Sequence, residues 1–171
     1  MSVEKKLFNL GKRGALLTNL TLIAGAAFGC VGAEQINGQN ESPDCAHWPI
    51  DGHVTSKYGP EHPLGIDIQP DHDLKAPIGA PASGKIIFAT DPSDSGIGSY
   101  GNYVVMLTDD EKYEFLFAHM SKVEVSAGQA VTLDEEIGKT GSTGYSTGSH
   151  VHFEAIDEGV RVDPLDVLCK K

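Results

Sequence analysis

The residues of this chain with the most to offer chemically are three histidines and one aspartate. His150 and His152 stand two apart in the run Ser149-His150-Val151-His152-Phe153. On a strand, side chains two apart project to one face, so both imidazoles would enter one cavity, where one can hold a metal while its neighbour handles protons. The pair is weak evidence by itself, since two histidines on a strand are as often structural or surface groups. Asp67 adds a second signal, because it lies between Ile66 and Ile68. Its side chain points away from those aliphatics, and burying an uncompensated carboxylate is costly, so its face should be a polar pocket. His119 follows a hydrophobic run, Phe115-Leu116-Phe117-Ala118, and is placed to emerge at the mouth of that pocket. One aspartate and two histidines leave the fourth tetrahedral position of Zn²⁺ open to water, the arrangement of a catalytic rather than a closed structural site. Zinc there lowers the pKa of water and polarises a carbonyl, the two tasks of amide hydrolysis. Two further histidines, neutral near pH 7, could take the proton and hold the developing oxyanion.

These groups need a rigid frame, and the sequence supplies a series of short apolar runs bounded by Gly, Pro, Asp or Ser. They are residues 53–59, 64–69, 84–90, 102–108, 113–120, 136–141, 150–156 and 160–168. Their alternation or brevity predicts strands. Asp109-Asp110-Glu111-Lys112 reads as a hairpin connection, and 91–96 as a loop by composition. Segment 121–138 carries enough charge to pass for a helix, but Ala127-Gly128-Gln129 and its β-branched residues favour turns and short strands. An all-β or β-dominated domain is expected, with no internal repeat.

Residues 103–155 resemble the core of the LytM/lysostaphin zinc metallopeptidases, peptidase family M23. The matching segments run in order: Gly101 to Val104, Phe117 to His119, Val125 to Val131, Ile137 to Gly144, and Thr147 to Glu154. With segments 52–59 and 65–68, the likeness extends over residues 48–168. It implies a single antiparallel β-sheet domain with an open catalytic groove, one Zn²⁺ per chain, and Asp67 and His152 as zinc ligands. His119 and His150 would be the unligated pair, His150 as general base and His119 steadying the tetrahedral intermediate, with the two roles shared or exchanged. Gly141, Gly144 and Gly148 would hold tight turns near the groove. Tyr58 would be either a phenolic donor to the reaction centre or an ordinary rim aromatic.

One departure bears on activity. The family places a histidine ligand four residues before the aspartate, where this chain has Pro63, and the nearest histidine is His62. On a regular strand that shift turns the side chain to the wrong face. A β-bulge near Pro63-Leu64 would absorb the extra residue and return His62 to the site. His53 and His72 are the substitutes.

Lys5, Lys6, Lys12 and Arg13 precede a low-charge apolar stretch that ends in small residues, a signal-peptide pattern with a cut expected after Ala33. Lipid attachment through Cys30 is the less favoured alternative, and a buried amphipathic helix or retained anchor the third. Residues 34–47 read as a polar lead-in to the peptidase-like domain. The whole chain of 171 residues carries a formal charge of −11; without its first 33 residues it keeps nine basic against 23 acidic side chains, or −14. Nucleic acid is thus excluded as a partner, since no cationic face exists to release counterions. Peptidoglycan also carries carboxylates, so its recognition would rest on a local groove and a local cation. Cys45 and Cys169 bracket the domain, and an oxidising compartment would join them; two unpaired thiols, or a partner outside the chain, are the other possibilities. The sequence therefore points to a secreted or periplasmic, monomeric zinc endopeptidase hydrolysing peptide cross-links of peptidoglycan. The alternative is a catalytically impaired wall-binding domain that regulates another cell-wall hydrolase.

Overall fold

The computed structural model describes residues 45–90 and 98–171; the expected signal peptide, its cut, Cys30 and most of the lead-in lie outside them. The strands are β1 (Gly52–Ser56), β2 (Ile66–Pro70), β3 (Pro77–Gly79), β4 (Gly84–Ala89), β5 (Asn102–Thr108), β6 (Tyr113–Met120), β7 (Lys122–Val123), β8 (Ala130–Val131), β9 (Glu136–Lys139), β10 (Val151–Asp157) and β11 (Val160–Val162). A four-residue helix, α1 (Pro164–Val167), follows. The large sheet runs β1-β2-β10-β6-β5-β4-β8, with β11 also paired to β10, and a small sheet runs β3-β9-β7. Every pairing is antiparallel.

Alternation decides which face of the large sheet is buried. Ile66 and Ile68 of β2, Val151 and Phe153 of β10, Phe115 and Phe117 of β6, Val104 and Met106 of β5 and Ile86 of β4 all point inward, and almost none of their surface reaches solvent. The rings of Phe115 and Phe117 pack on Phe153 at centroid distances of 5.4 and 5.3 Å. Ile78, Val123 and Ile137 of the small sheet close the same core. The opposite face of the large sheet receives the residues of the other parity, Asp67, His152 and Glu154 among them.

The expected strands are present, the run 160–168 only over Val160–Val162. That run divides at Asp163-Pro164: Asp163 caps α1 by accepting from the Leu165 N–H at 2.9 Å, and Pro164 takes the first helical position, where no N–H is needed. Segment 121–138 forms turns and the short strands β7, β8 and the start of β9, as its composition predicts. Asp109–Lys112 is the β5–β6 connection.

Cys45 and Cys169 form a disulfide. They lie outside the strands, so the bridge joins the segment before β1 to the segment after α1 rather than two strands. Ala46 donates to the Val167 carbonyl at 3.0 Å, Cys169 donates to that of Ala46 at 2.8 Å, and the Trp48 indole donates to the Cys169 carbonyl at 2.8 Å. Joining residues 124 apart restricts the unfolded chain by about 5 kcal/mol in the entropic model, an upper bound. Cys45→Ala/Cys169→Ala should therefore lose about 2–5 kcal/mol of stability, read as a lower urea midpoint. An unchanged midpoint would mean that the local hydrogen bonds suffice.

Candidate metal centre

The site is built on the register of β2 against β10. His152 sits opposite Asp67 on one side and opposite Ala118 of β6 on the other. Asp67 Oδ1 lies 2.8 Å from His152 Nδ1, and its Oδ2 lies 3.4 Å from His62 Nε2. One donor atom from each of His62, Asp67 and His152 falls within 4.8 Å of the others, and the three form the metal-binding triad of the described residues.

His62 reaches this place differently from the expected bulge. It lies ahead of β2, in a short turn where Gly59 and His62 pair through hydrogen bonds of 3.2 and 3.0 Å. The chain from Pro63 to Gly65 is irregular, so strand parity does not apply there and the extra residue is taken up by a loop. The bulge in this region is on β1, between Val54 and Ser56, and Ser56 faces Asp67. Gly65 is required by close approach: a Cβ there would run into the Phe153 carbonyl. Its own carbonyl receives the Nδ1–H of His62 at 2.8 Å, which leaves the Nε2 lone pair for the site. The two substitutes are elsewhere: His53 pairs with Asp71 at 2.6 Å, and His72 is exposed and outside the triad.

The other histidines stand beside the triad. The ring of His119 lies 4.8 Å from that of His150 and 6.0 Å from that of His152. His119 is the last residue but one of β6 and has φ of 62°, a left-handed conformation that costs a non-glycine residue about 1 kcal/mol or more and is common at functional sites. Its Nδ1 donates to the Thr143 carbonyl at 2.8 Å. His150 precedes β10 and pairs with Gly141; its Nδ1 donates to the Gly148 carbonyl at 2.8 Å, and its Nε2 lies 3.7 Å from Asp67 Oδ1. Thr143 and Gly148 belong to the loop between β9 and β10, which is seated by Gly144 packing directly against Gly101; a Cβ on either glycine would collide with the other segment. Gly148 meets open space and serves through its carbonyl.

His152 has the opposite orientation, with Nδ1 toward Asp67 and Nε2 toward Glu154 Oε1 at 3.2 Å. Glu154 is completely buried. It also accepts from the Tyr100 hydroxyl at 2.5 Å and from Arg161 Nε at 2.7 Å. Tyr100 and Arg161 carry no signal in the sequence, whereas Glu154 ends the family-like segment Thr147 to Glu154 and shares the parity of His150 and His152, without a role assigned to it there. Tyr58 is not turned to the centre: its hydroxyl donates to the Arg161 carbonyl at 3.2 Å.

Electrostatics follow from this packing. Burial disfavours a charged His152, but hydrogen bonds to Asp67 and Glu154 prevail and raise its pKa to about 9. Burial also opposes ionisation of the two carboxyls. Hydrogen bonds from His152 and Ser56 nevertheless hold Asp67 below the usual range, and those from His152, Tyr100 and Arg161 do the same for Glu154. His119 is lowered, first by burial, which outweighs its bond to the Thr143 carbonyl, and then by the neighbouring His150 and His152. The donor set of two imidazoles and one carboxylate, with each ring's other nitrogen already engaged, fits Zn²⁺.

Known proteins are similar to this chain in sequence and in fold. A metalloprotease of Haemophilus influenzae is 33% identical over 140 residues, 76% of this chain and 28% of that protein. Peptidoglycan DD-endopeptidase ShyB of Vibrio cholerae is 32% identical over 132 residues, 71% of this chain and 29% of its own length. The chain thus spans less than a third of either relative. The crystal structure of a zinc-containing peptidase from Vibrio cholerae superposes with a TM-score of 0.61 at 27% identity, covering 71% of this chain and 39% of that one. The model of Peptidase family M23 matches residues 61–164, which take in the triad and both neighbouring histidines, and the chain belongs to that family.

Proposed function

We propose that this protein is a secreted zinc endopeptidase that hydrolyses peptide cross-links of bacterial peptidoglycan. The observation that carries the reading is the convergence of His62, Asp67 and His152 within 4.8 Å, with the rings of His119 and His150 alongside. A domain that had lost its chemistry and kept only wall binding would have no need of that set. The disulfide suits an oxidising compartment, in keeping with residues 1–33 as an export signal, 34–47 as a lead-in and 48–168 as the peptidase domain. The related ShyB, named for its action on peptidoglycan, supports the substrate class.

A bound zinc ion would supply Lewis acidity to the scissile carbonyl and acidity to a water. The protein's residues then divide the proton work. His150, with its Nδ1–H committed to Gly148, offers only a lone pair at Nε2 and is the general base. His119 is neutral at rest and likewise an acceptor at Nε2, because its Nδ1–H is held by Thr143. It steadies the tetrahedral intermediate only after a proton has entered the His119–His150 pair and made Nε2 a donor. The enzyme acts as a monomer.

His62→Ala and His152→Ala should abolish stoichiometric zinc and hydrolysis together, whereas His119→Ala and His150→Ala should keep the metal and lose roughly 100-fold or more in turnover. Metal analysis and turnover on purified peptidoglycan separate the two classes. A wild-type chain that binds zinc and cleaves no wall peptide would return the protein to the wall-binding alternative.

Zinc uptake should also be proton-coupled. His152 must surrender its Nδ1 proton to become a ligand, and its pKa of about 9 means that the proton competes with the metal throughout the range below that value. Apparent affinity should rise about tenfold per pH unit between pH 6 and 8 and level off above pH 9. Calorimetry in buffers of different ionisation heat would report the released proton; the absence of any release would contradict this account.

A further inference from the structure

We infer that Glu154 is a positioning residue of the metal centre: held by Arg161 and Tyr100, it takes the Nε2–H of His152 and so commits Nδ1 of that ring to the metal. The inference rests on the metal-centre reading, since it assigns Glu154 a duty toward that ion.

A carboxylate in the middle of a sheet is unfavourable without dedicated partners. Glu154 is on β10, opposite Leu116 of β6, and none of its surface reaches solvent. Three donors converge on it. His152 Nε2 and the Tyr100 hydroxyl share Oε1, and Arg161 Nε occupies Oε2. Arg161 is the only arginine among the described residues. It comes from β11, where it pairs with Ile156, two residues along β10 from Glu154, so its side chain reaches Glu154 diagonally across the ladder. Its carbonyl is held by Tyr58 at 3.2 Å.

The consequence for His152 lies in hydrogen-bond polarity. Both ring nitrogens face carboxylates, which can only accept, so each carries a hydrogen in the metal-free protein. Asp67 is itself a member of the triad and would turn to the metal, whereas Glu154 stands outside the triad and keeps its hydrogen bond, so the Nδ1 proton is the one the metal displaces. His62 achieves the reverse choice with a backbone carbonyl, that of Gly65. For His152 a side chain does this work, and a side chain can be exchanged. Partners of this kind orient metal-binding histidines, and their loss typically costs 10–100-fold in metal affinity.

The test compares wild type with Glu154→Leu/Arg161→Leu and with Tyr100→Phe, measuring zinc dissociation constants by chelator competition and urea midpoints of the metal-free proteins. Removing the buried Glu154 carboxylate together with its solvent-exposed arginine leaves no uncompensated charge inside the fold, so the double variant should keep a midpoint near that of wild type. Its zinc affinity should nevertheless fall 10–100-fold, an effect that a merely structural pair would not produce. Tyr100→Phe, which removes one hydroxyl and keeps the ring, should weaken zinc by a smaller factor of about 2–10. In the zinc-loaded wild type, imidazole ¹⁵N shifts should show His152 metallated at Nδ1 and protonated at Nε2. Wild-type zinc affinity in the double variant, or ligation of the wild type through Nε2, would overturn the assignment to Glu154 while leaving the metal centre intact. A wild-type chain that binds no zinc would instead overturn the metal-centre reading and this inference with it. If the double variant does not fold, an unweakened Tyr100→Phe together with Nε2 ligation in the wild type decides against Glu154.

Discussion

The contact between Asp67 and His152 depends on a single register, that of β2 against β10. The two residues are direct partners across that ladder, and their neighbours Ile66, Ile68, Val151 and Phe153 are all fully buried on the other face. Hydrophobic burial therefore fixes the polar contact: a slip of one residue would put two isoleucines in water and the aspartate in the core. The metal-binding residues are held by a packed core beneath them, and not by their attraction for one another.

The remaining histidines depend on backbone detail at the ends of strands. His119 is turned into the site by its own left-handed backbone near the end of β6, and His150 enters just before β10 begins. Both rings are tethered by carbonyls of the β9–β10 loop, and that loop is seated by the contact of Gly101 with Gly144. The left-handed backbone of His119 thus sets one of the two rings beside the triad. The sheet supplies rigidity, and the loop supplies aim.

Charge is distributed with the same economy. In a chain of net charge −11, the fully buried carboxylate of Glu154 is matched by the only arginine among the described residues. Two carboxylates flank one imidazole, an arrangement that welcomes a cation at Nδ1, whether proton or metal. The same pairing raises the pKa of His152 and lowers those of its two acids.

Much of this was legible in the sequence. Period-two alternation identified the main strands, and an aspartate between isoleucines announced a polar pocket, because an unpaired carboxylate has no other tolerable place on such a strand. The same-face spacing of His150 and His152 and the ordered family motif carried the rest of the site. What the sequence could not decide was how His62 returns to the centre, since a bulge and a loop absorb one residue equally well and only the packing of Gly65 against Phe153 selects the loop. Nor could it reveal the bond of Arg161 and Tyr100 to Glu154. That contact joins residues 54 and seven positions from Glu154 in the chain, and local pattern carries no information about which strands or turns become neighbours. Local composition determined which face each residue occupies; tertiary structure alone decided which of those residues meet, because strand pairing and loop packing are settled by the burial of the whole core.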